Sequence, residues 1–562
     1  LSTPAILYLS AEYDPSQKMM GRQVASSAFL SAVARYEPAE ELAVAATSRD
    51  EVVRFRSLQR SLGAPERRYR WIRWGEAEGL HAAGGLYRPD PVLGDEAWTR
   101  QALDPRSWCI TGVTHTVASL GVQRAFAQMV TAPLEPWDAL ICTSEAVRRV
   151  VEGHFEALGQ HLAERWRMPE VPRVRLSLPV IPLGVHLEEF DTRPADRQAA
   201  RQARRAELGV GEDDVVVLFV GRLAWHAKAN PWPMYAALEA AARRTGKVVH
   251  LVQAGWFAGE SLERGFRDAA ALIAPTIRHH FIDGREPAWR RDVWALADLF
   301  TSLADNVQET FGLTPLEAMA AGLPVVVSDW NGYRETVRDG LDGILVPTMM
   351  SPPGLGGTIA QRHHANLDTY DLTVGALALN VSVDIAAAVE AYAALLADPA
   401  LRRRMGDSGR ERARSVYSWE RVYGQYRALW AEQQAIRRAA GPAEVPARPT
   451  GTAAVPDPLH LYRHYATATF DESSVVIALA GLPLEAWKVA LSSPLLSSGS
   501  AGMAGGDDVE WLYRTLTTGP KPVGELMRGA PGRRPWAIQR SVTWLCKAGL
   551  VIVQGQVPTA RP

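Results

Sequence analysis

The sequence predicts an α/β fold of two successive doubly wound parallel-sheet domains, followed by a mainly helical module. Three observations carry this. Short runs rich in Val, Ile and Leu alternate with helix-length segments through the first two-fifths of the chain. That is the βαβ pattern of a parallel sheet covered on both faces. The pattern restarts at VVVLFV, residues 215–220, after the charged segment ARRAELGVGEDD. It stops at GPAEVPARPTGTAAVPDP, which is Pro/Ala-rich and lacks apolar periodicity, and so reads as a linker.

In chain order, the first domain (1–200) has strand candidates at 5–10, 42–47, 108–115, 139–143 and 179–183, with amphipathic helical segments such as 22–34 between them. The second (201–417) has them at 215–220, 248–253, 277–282, 298–303, 324–328 and 343–346, with a helix over about 309–321. Two such units imply a cleft between them, and ligands of doubly wound sheets bind outside the carboxyl ends of the strands. Periodicity fails over 349–380, which reads as a long loop or insertion. Helices resume at about 384, and those at 418–438 are expected to pack back on the first domain. The linker spans 439–458 and the terminal module 459–562.

Bulk properties narrow the function classes. The chain has 562 residues, too many for one core. Lys plus Arg is 61 against 62 Asp plus Glu, so no global charge draws it to nucleic acid or anionic lipid. Cys109, Cys142 and Cys546 are odd in number and lack metal-ligand spacing. They read as thiols in a reducing, cytoplasmic setting. The opening run LSTPAILYLSAEY lacks a basic region and a cleavage site, so no signal peptide is expected. No stretch approaches the ~20 apolar residues of a transmembrane helix. Oligomeric state is not legible.

The chemistry concentrates in ETFGLTPLEAMAAGLPVVVS, which starts at Glu309. Seven residues separate Glu309 from Glu317. Gly312 suits a tight turn, Thr314-Pro315 a helix start, and Gly322-Leu-Pro its end. Glu309 then precedes the helix and Glu317 lies about one turn into it. The free N–H groups between them favour a diphosphate, and each carboxylate can accept paired hydroxyls of a sugar or ribose. Two solvated carboxylates at a helix end are the alternative for such a pair in isolation.

The whole string resembles the E-x-F-G-x-x-x-x-E-A motif of the retaining group 1 glycosyltransferases. That family has the GT-B fold of two facing Rossmann-like domains. The resemblance covers about residues 1–435. It implies that Glu309 contacts the donor sugar and Glu317 the ribose, with the backbone at Phe311, Gly312 and Leu313 meeting sugar and phosphates. FVGRLAWHAKAN is similar to the family's G-R-L…K element and points to Arg222 and Lys228 as neutralisers of the leaving diphosphate, although the spacing is one residue longer than usual. Gly21 stands where a family glycine lets the backbone approach donor or acceptor, but Met20 replaces a second glycine. His115, after the strand ITGV, is either a donor-sugar contact or a core histidine. Ile282 in FIDGR falls where the family lines the base pocket, largely through backbone. His186 in VIPLGVHLEEF replaces the usual Asp or Asn.

The resemblance implies retention by front-face attack, with the leaving diphosphate assisting deprotonation and Glu309 positioning the sugar. No D-x-D pair suggests a metal. His363, His364, Asp368 and Asp371 are the one candidate cluster and read as incidental polarity. No cofactor is expected beyond the nucleotide-diphosphate sugar as co-substrate. The acceptor, whether saccharide, lipid-linked or small molecule, is not legible.

The stretch 507–553 reads as helix, helix, helix, strand, with Trp511, Leu512, Leu516, Val523, Leu526, Trp544, Leu545 and Leu550 as a small core. It resembles a winged-helix module, with 536–548 in the recognition-helix position. Seven basic and four acidic side chains over 507–547 are a weak excess for DNA binding, which favours a protein-contact or regulatory role. The preceding 459–493 reads as an amphipathic helical segment. The competing reading of the chain is a catalytically silent GT-B scaffold that acts through this module.

Overall fold

The computed structural model describes residues 3–13, 21–191, 193–446, 451–498, 502–530 and 535–555. The chain divides into one unit of Leu1–Gln101 with Pro105–Ala443 and a second of Ala102–Asp104 with Glu444–Pro562.

The first unit holds two six-stranded sheets. One contains β1 (Ala5–Leu7), β2 (Glu41–Ala46), β3 (Arg68–Arg73), β4 (Gly85–Tyr87), β5 (Cys109–Val113) and β6 (Ala139–Ile141), in the order β3-β2-β1-β4-β5-β6. The other contains β7 (Val215–Val220), β8 (Val249–Gly255), β9 (Arg278–Asp283), β10 (Leu299–Ser302), β11 (Val325–Ser328) and β12 (Gly343–Val346), in the order β12-β11-β10-β7-β8-β9. The strand pairings within both sheets are parallel. Each sheet runs 3-2-1-4-5-6 in its own count, so strand order reverses at β1/β4 and at β7/β10. These are the crevices where doubly wound sheets receive ligands.

β7 explains the apolar runs. Val215, Val217 and Phe219 pack with the helices Pro231–Thr245 and Ile385–Ala397, while Val216 and Leu218 pack with Trp289, Val293 and Leu316. Burial on both faces removes the alternation of a half-exposed strand. The helix Trp419–Ala439 returns to the first sheet. Tyr423 Oη donates to Glu37 Oε2 at 2.7 Å, and Gln433 Nε2 donates to the carbonyls of Ile110 and Trp137 at 3.2 and 3.0 Å.

Several expectations need correction. Residues 179–183 are not a strand. They make an isolated bridge from Val180 to Cys142, because Pro179 and Pro182 supply no N–H to a ladder. β3 and β4 were not expected as strands. Helix Gly21–Tyr36 is not amphipathic: Ala25, Ser26, Phe29, Leu30, Ser31, Ala32, Val33 and Ala34 are all buried. Its small residues let it pack on several sides. The segment 349–380 is largely regular, with β13 (Thr348–Met350) and β14 (Val381–Val383) pairing antiparallel around helices Gly357–His364 and Tyr370–Ala378.

In the second unit, β15 (Val475–Ala478) is the centre of an antiparallel sheet, between β16 (Lys521–Pro522) and β17 (Val551–Gln554). Helices Gly506–Thr517, Val523–Gly529 and Pro535–Lys547 follow the expected order. Of the stretch 459–493, expected to be helical, Leu484–Ser492 is a helix, whereas VVIA is a strand, whose β-branched residues suit a half-buried sheet. Trp487 is fully buried in this core, whereas Trp511 and Trp544 sit at its margin. Among the described residues no helix is long and apolar enough to cross a membrane.

Candidate active site

β7 ends at Val220, and the chain turns through Gly221 and Arg222 into a short coil closed by the Lys228 N–H donating to the Ala224 carbonyl at 2.9 Å. Ala224 and Ala227 are buried, while Arg222, His226 and Lys228 are part-exposed. The neighbouring β10 runs into the loop 303–312. Here Lys228 Nζ lies 3.3 Å from Glu309 Oε2, with 32 % and 15 % of the two side chains exposed. Arg222 Nη2 reaches Gln308 Oε1 at 3.5 Å. Three residues named from sequence thus meet at the β7/β10 reversal.

The loop is held by specific contacts. Gly312 has φ +97°, and a Cβ there would lie 2.2 Å from Tyr333 Cε1, so no larger residue fits. In return, a Cβ on Gly332 would lie 2.6 Å from Phe311 Cα. The two glycines let segments 309–312 and 331–333 interlock. Asn331, left-handed at φ +50°, donates from Nδ2 to the Glu309 carbonyl. Trp330 Nε1 donates to the Asn306 carbonyl at 3.0 Å. Phe311 is buried edge-on to Tyr417, so its ring is part of the core and does not line the crevice.

Helix Leu313–Ala320 begins at Gly312, which provides no side-chain cap. Its first-turn N–H groups therefore remain available for an anion. Glu317 lies on this helix. Burial, reinforced by Glu189, pushes its carboxyl up to about 7 against the opposing pull of Arg290 and Lys228. A second acid, Asp305, is also pushed up to about 7 by burial, although the Asn230 N–H donates to it at 3.4 Å. Asp305 carries no local signature in the sequence, because only the β10 carboxyl end brings it beside Asn230.

The two lobes of this unit are bridged around the loop. Ser144 Oγ donates to the Thr310 carbonyl at 2.8 Å, and Thr310 Oγ1 donates to the His115 carbonyl at 3.2 Å. Glu335 Oε1 accepts the Glu145 and Ala146 N–H groups at 2.7 and 3.3 Å, closing the start of helix Glu145–Trp166. His115 thus sits beside the Glu309 loop through its backbone. Gly21 is the first residue of its helix, and the Met20 position lies outside the described residues. Ile282 is part-buried on β9, paired with Ala254, and separated from β10 by the two strands β8 and β7. His186 caps no helix by its side chain; burial and Arg35 lower its pKa to about 4, so it is neutral at neutral pH.

The inserted segment touches both lobes. Val374 packs with Ala118, Ala224 and Ala227, and Tyr370 Oη is 3.3 Å from Thr116 Oγ1. The His/Asp cluster named from sequence is dispersed here: Asp368 pairs with Arg362 at 2.6 Å, His363 Nδ1 meets Thr373 Oγ1 at 3.2 Å, and Asp371 meets His226 at 3.6 Å. Among the described residues no group of three or more His, Cys, Asp and Glu is placed to hold a metal ion.

A pocket of about 420 Å³ opens between the lobes. It is lined by Val117, Ala146, Val147 and Val150 from one lobe and by Val307, Trp330, Asn331 and Met350, among others, from the other. It does not include Arg222, Lys228, Glu309 or Glu317.

Residues 200–361 match the family described as glycosyl transferases group 1. The D-inositol 3-phosphate glycosyltransferase of Nocardia farcinica is 30% identical over 264 residues, covering 46% of this chain and 55% of that protein. The protein of the same name from Geodermatophilus obscurus is 37% identical over 178 residues, covering 30% of this chain and 36% of that protein. The chain thus spans about half the length, or less, of these curated relatives. The solved structure of Anabaena HepE in complex with UDP aligns over 76% of this chain and 100% of that chain, at 16% identity and a TM-score of 0.49.

Proposed function

We propose that this chain, whose residues 200–361 belong to the group 1 glycosyl transferases, moves a sugar from a nucleoside-diphosphate sugar to a hydroxyl-bearing acceptor with retention of anomeric configuration. The observation that carries the reading is the Lys228–Glu309 pair at 3.3 Å, set with Arg222 at the β7/β10 reversal beside an uncapped helix start.

Departure of the nucleoside diphosphate builds negative charge. Lys228, Arg222 and the first-turn N–H groups of helix Leu313–Ala320 are placed to offset it without reorganising. Without donor, Lys228 is occupied by Glu309. An arriving diphosphate replaces that carboxylate as the lysine's partner and frees Glu309 to accept sugar hydroxyls. Glu317 accepts the ribose hydroxyls. The acceptor oxygen attacks the anomeric carbon on the face the diphosphate leaves, the bond to phosphate oxygen breaks, and the acceptor proton passes to that oxygen. Orientation in the cleft supplies much of the remaining rate enhancement. Protein cations supply the charge offset, so turnover is expected to survive a chelator of divalent ions.

The test is a panel of nucleotide sugars scored for thermal stabilisation and for sugar release. Lys228→Ala is expected to weaken nucleoside-diphosphate binding and lower kcat/KM by about 10²-fold or more. Glu309→Gln is expected to lower kcat/KM comparably while leaving nucleoside-diphosphate affinity within about threefold. Lack of stabilisation by every nucleotide tested, or full activity in both variants, would reject the assignment.

A further inference from the structure

The strand order lays the cleft out as a line. Along β9-β8-β7-β10-β11-β12, Ile282 lies at one end, Arg222 and Lys228 follow β7, and Glu309 follows β10. The donor assigned above is used up by β10: base, phosphates and then sugar. The 420 Å³ pocket comes next. Asp329, Trp330 and Asn331 follow β11, Thr348 and Met350 follow β12, and Val117 and Ala146 follow β5 and β6 of the facing lobe. Its inner wall lies next to the reacting region. Val307 is two residues from Glu309, Val117 is two from His115, and Asn331 Nδ2 donates to the Glu309 carbonyl.

The chemistry of the wall selects the occupant. Val117, Ala146, Val147, Val150, Val307 and Met350 present hydrocarbon or thioether, and the Trp330 indole N–H is already spent on the Asn306 carbonyl. The cation of the lining, Arg334, is paired with Asp329 at 2.9 Å. The charges of the lining, Arg334 and Asp329, balance, so the pocket carries no net positive charge to draw a phosphate or carboxylate, whereas a chain or ring of carbon would cover Val150 and Met350, which stand 40% and 52% exposed. Pockets of ~300–1,000 Å³ with mostly apolar walls and a few polar groups are the usual form of small-molecule sites.

We infer that this pocket receives the apolar portion of the glycosyl acceptor, an alkyl or aryl group, and so holds the acceptor hydroxyl toward the donor sugar at Glu309. The inference rests on the donor assignment for its orientation. The curated relatives are named for D-inositol 3-phosphate, an anionic acceptor. With Asp329 beside Arg334, the lining has no net positive charge to favour that phosphate.

The test uses the full chain and acceptors that share one head group. Methyl β-glucoside and octyl β-glucoside, the latter below its micelle concentration, are compared with each nucleotide sugar the protein binds. Octyl is expected to lower the acceptor KM at least about tenfold relative to methyl, since two or more newly buried methylenes suffice for that factor. Met350→Glu and Val150→Glu, both at exposed positions, are expected to bring the octyl-to-methyl ratio to about one. Binding of octyl β-glucoside alone, by calorimetry, is expected in the wild type and not in these variants. Equal KM values for the two glucosides, preference for inositol 3-phosphate, or a chain-length effect on the donor KM alone would each overturn the assignment. Failure of nucleotide sugars to stabilise the protein, with octyl glucoside still bound at Met350 and Val150, would instead strike the donor reading.

Discussion

Glu317 makes a prediction that links stability to function. Its carboxyl is held at about 7 instead of the usual 4.5, first by burial and then by Glu189. A folded-state pKa above the unfolded one means that the folded protein binds more protons between the two values. Stability therefore falls as pH rises from about 4.5 through about 7, then levels off. At roughly 1.4 kcal/mol per pH unit the full penalty is on the order of 3 kcal/mol. Solvent reaching this part-exposed residue reduces it to about 1–2 kcal/mol. Glu317→Gln keeps the shape and removes the charge. Without ligand, the variant is expected to melt a few degrees above wild type at pH 8. At pH 5 the two should coincide, because the wild-type carboxyl is then protonated. Donor binding should run the other way. The ionised carboxylate is the better acceptor for two ribose hydroxyls, so wild-type affinity weakens as pH falls through about 7, and the variant loses about ten-fold or more at pH 8 with little pH dependence. Thermal unfolding and nucleotide titration at both pH values decide it. A variant destabilised equally at pH 5 and pH 8 would show that Glu317 is well paired in the free protein, and the reasoning would fail.

Two further outcomes follow from packing. Gly312→Ala puts a Cβ at 2.2 Å from a fully buried Tyr333 ring whose hydroxyl is bonded to Ser302 at 2.9 Å. With positive-φ strain of about 1–2 kcal/mol and overpacking of about 1–3, a loss of about 2–5 kcal/mol is expected by urea unfolding, and a loss under about 0.5 would contradict the interlock. Glu335→Ala removes the acceptor of the Glu145 and Ala146 N–H groups across the lobes. A cap of this kind is worth about 1–2 kcal/mol, and faster amide exchange at the start of helix Glu145–Trp166 is the expected sign, with unchanged exchange refuting the role.

What the sequence made legible was local. The turn at Gly312, the uncapped helix after it and the strand beyond are all written within twenty residues, so the placement of Glu309 before the helix and Glu317 on it could be read directly. The approach of Lys228 to Glu309 spans 81 positions and depends on β7 and β10 being neighbours, which only the parallel-sheet pattern hinted at. β3 escaped notice because Arg68, Arg70 and Arg73 break its apolar run, as an edge strand allows. β4 has three residues, the first a glycine. Asn331 and Glu335 were not legible. Their partners are the Glu309 carbonyl and the start of a helix 190 positions away, and nothing local in WNGYRE signals either contact. The insertion was unreadable for another reason. Met349, Met350, Leu355, Leu367, Leu372 and Leu379 stay exposed, helix Gly357–His364 buries no residue, and helix Tyr370–Ala378 buries only Thr373, Val374 and Ala378, so its apolar residues do not mark a buried face.

That insertion also bears on the one irregularity in the phosphate turn, the extra residue between Arg222 and Lys228. Ala224 and Ala227, which form the floor of the turn, are 1% and 0% exposed. Val374 and Tyr370 of the insertion, with Val307 of the Glu309 loop and Ala118 of the facing lobe, join them in one cluster. Gly375 approaches so near that a Cβ there would meet His226 Cβ at 3.0 Å. A longer turn has more conformations to lose, at about 1–2 kcal/mol per ordered backbone residue, and by itself would hold Lys228 loosely. Covering its underside with Val374 and Tyr370 restricts those conformations. The Tyr370–Thr116 contact at 3.3 Å then ties the same cover to the facing lobe. Lys228 is thereby set by three elements far apart in sequence, so the position of its ammonium is sensitive to how the lobes close.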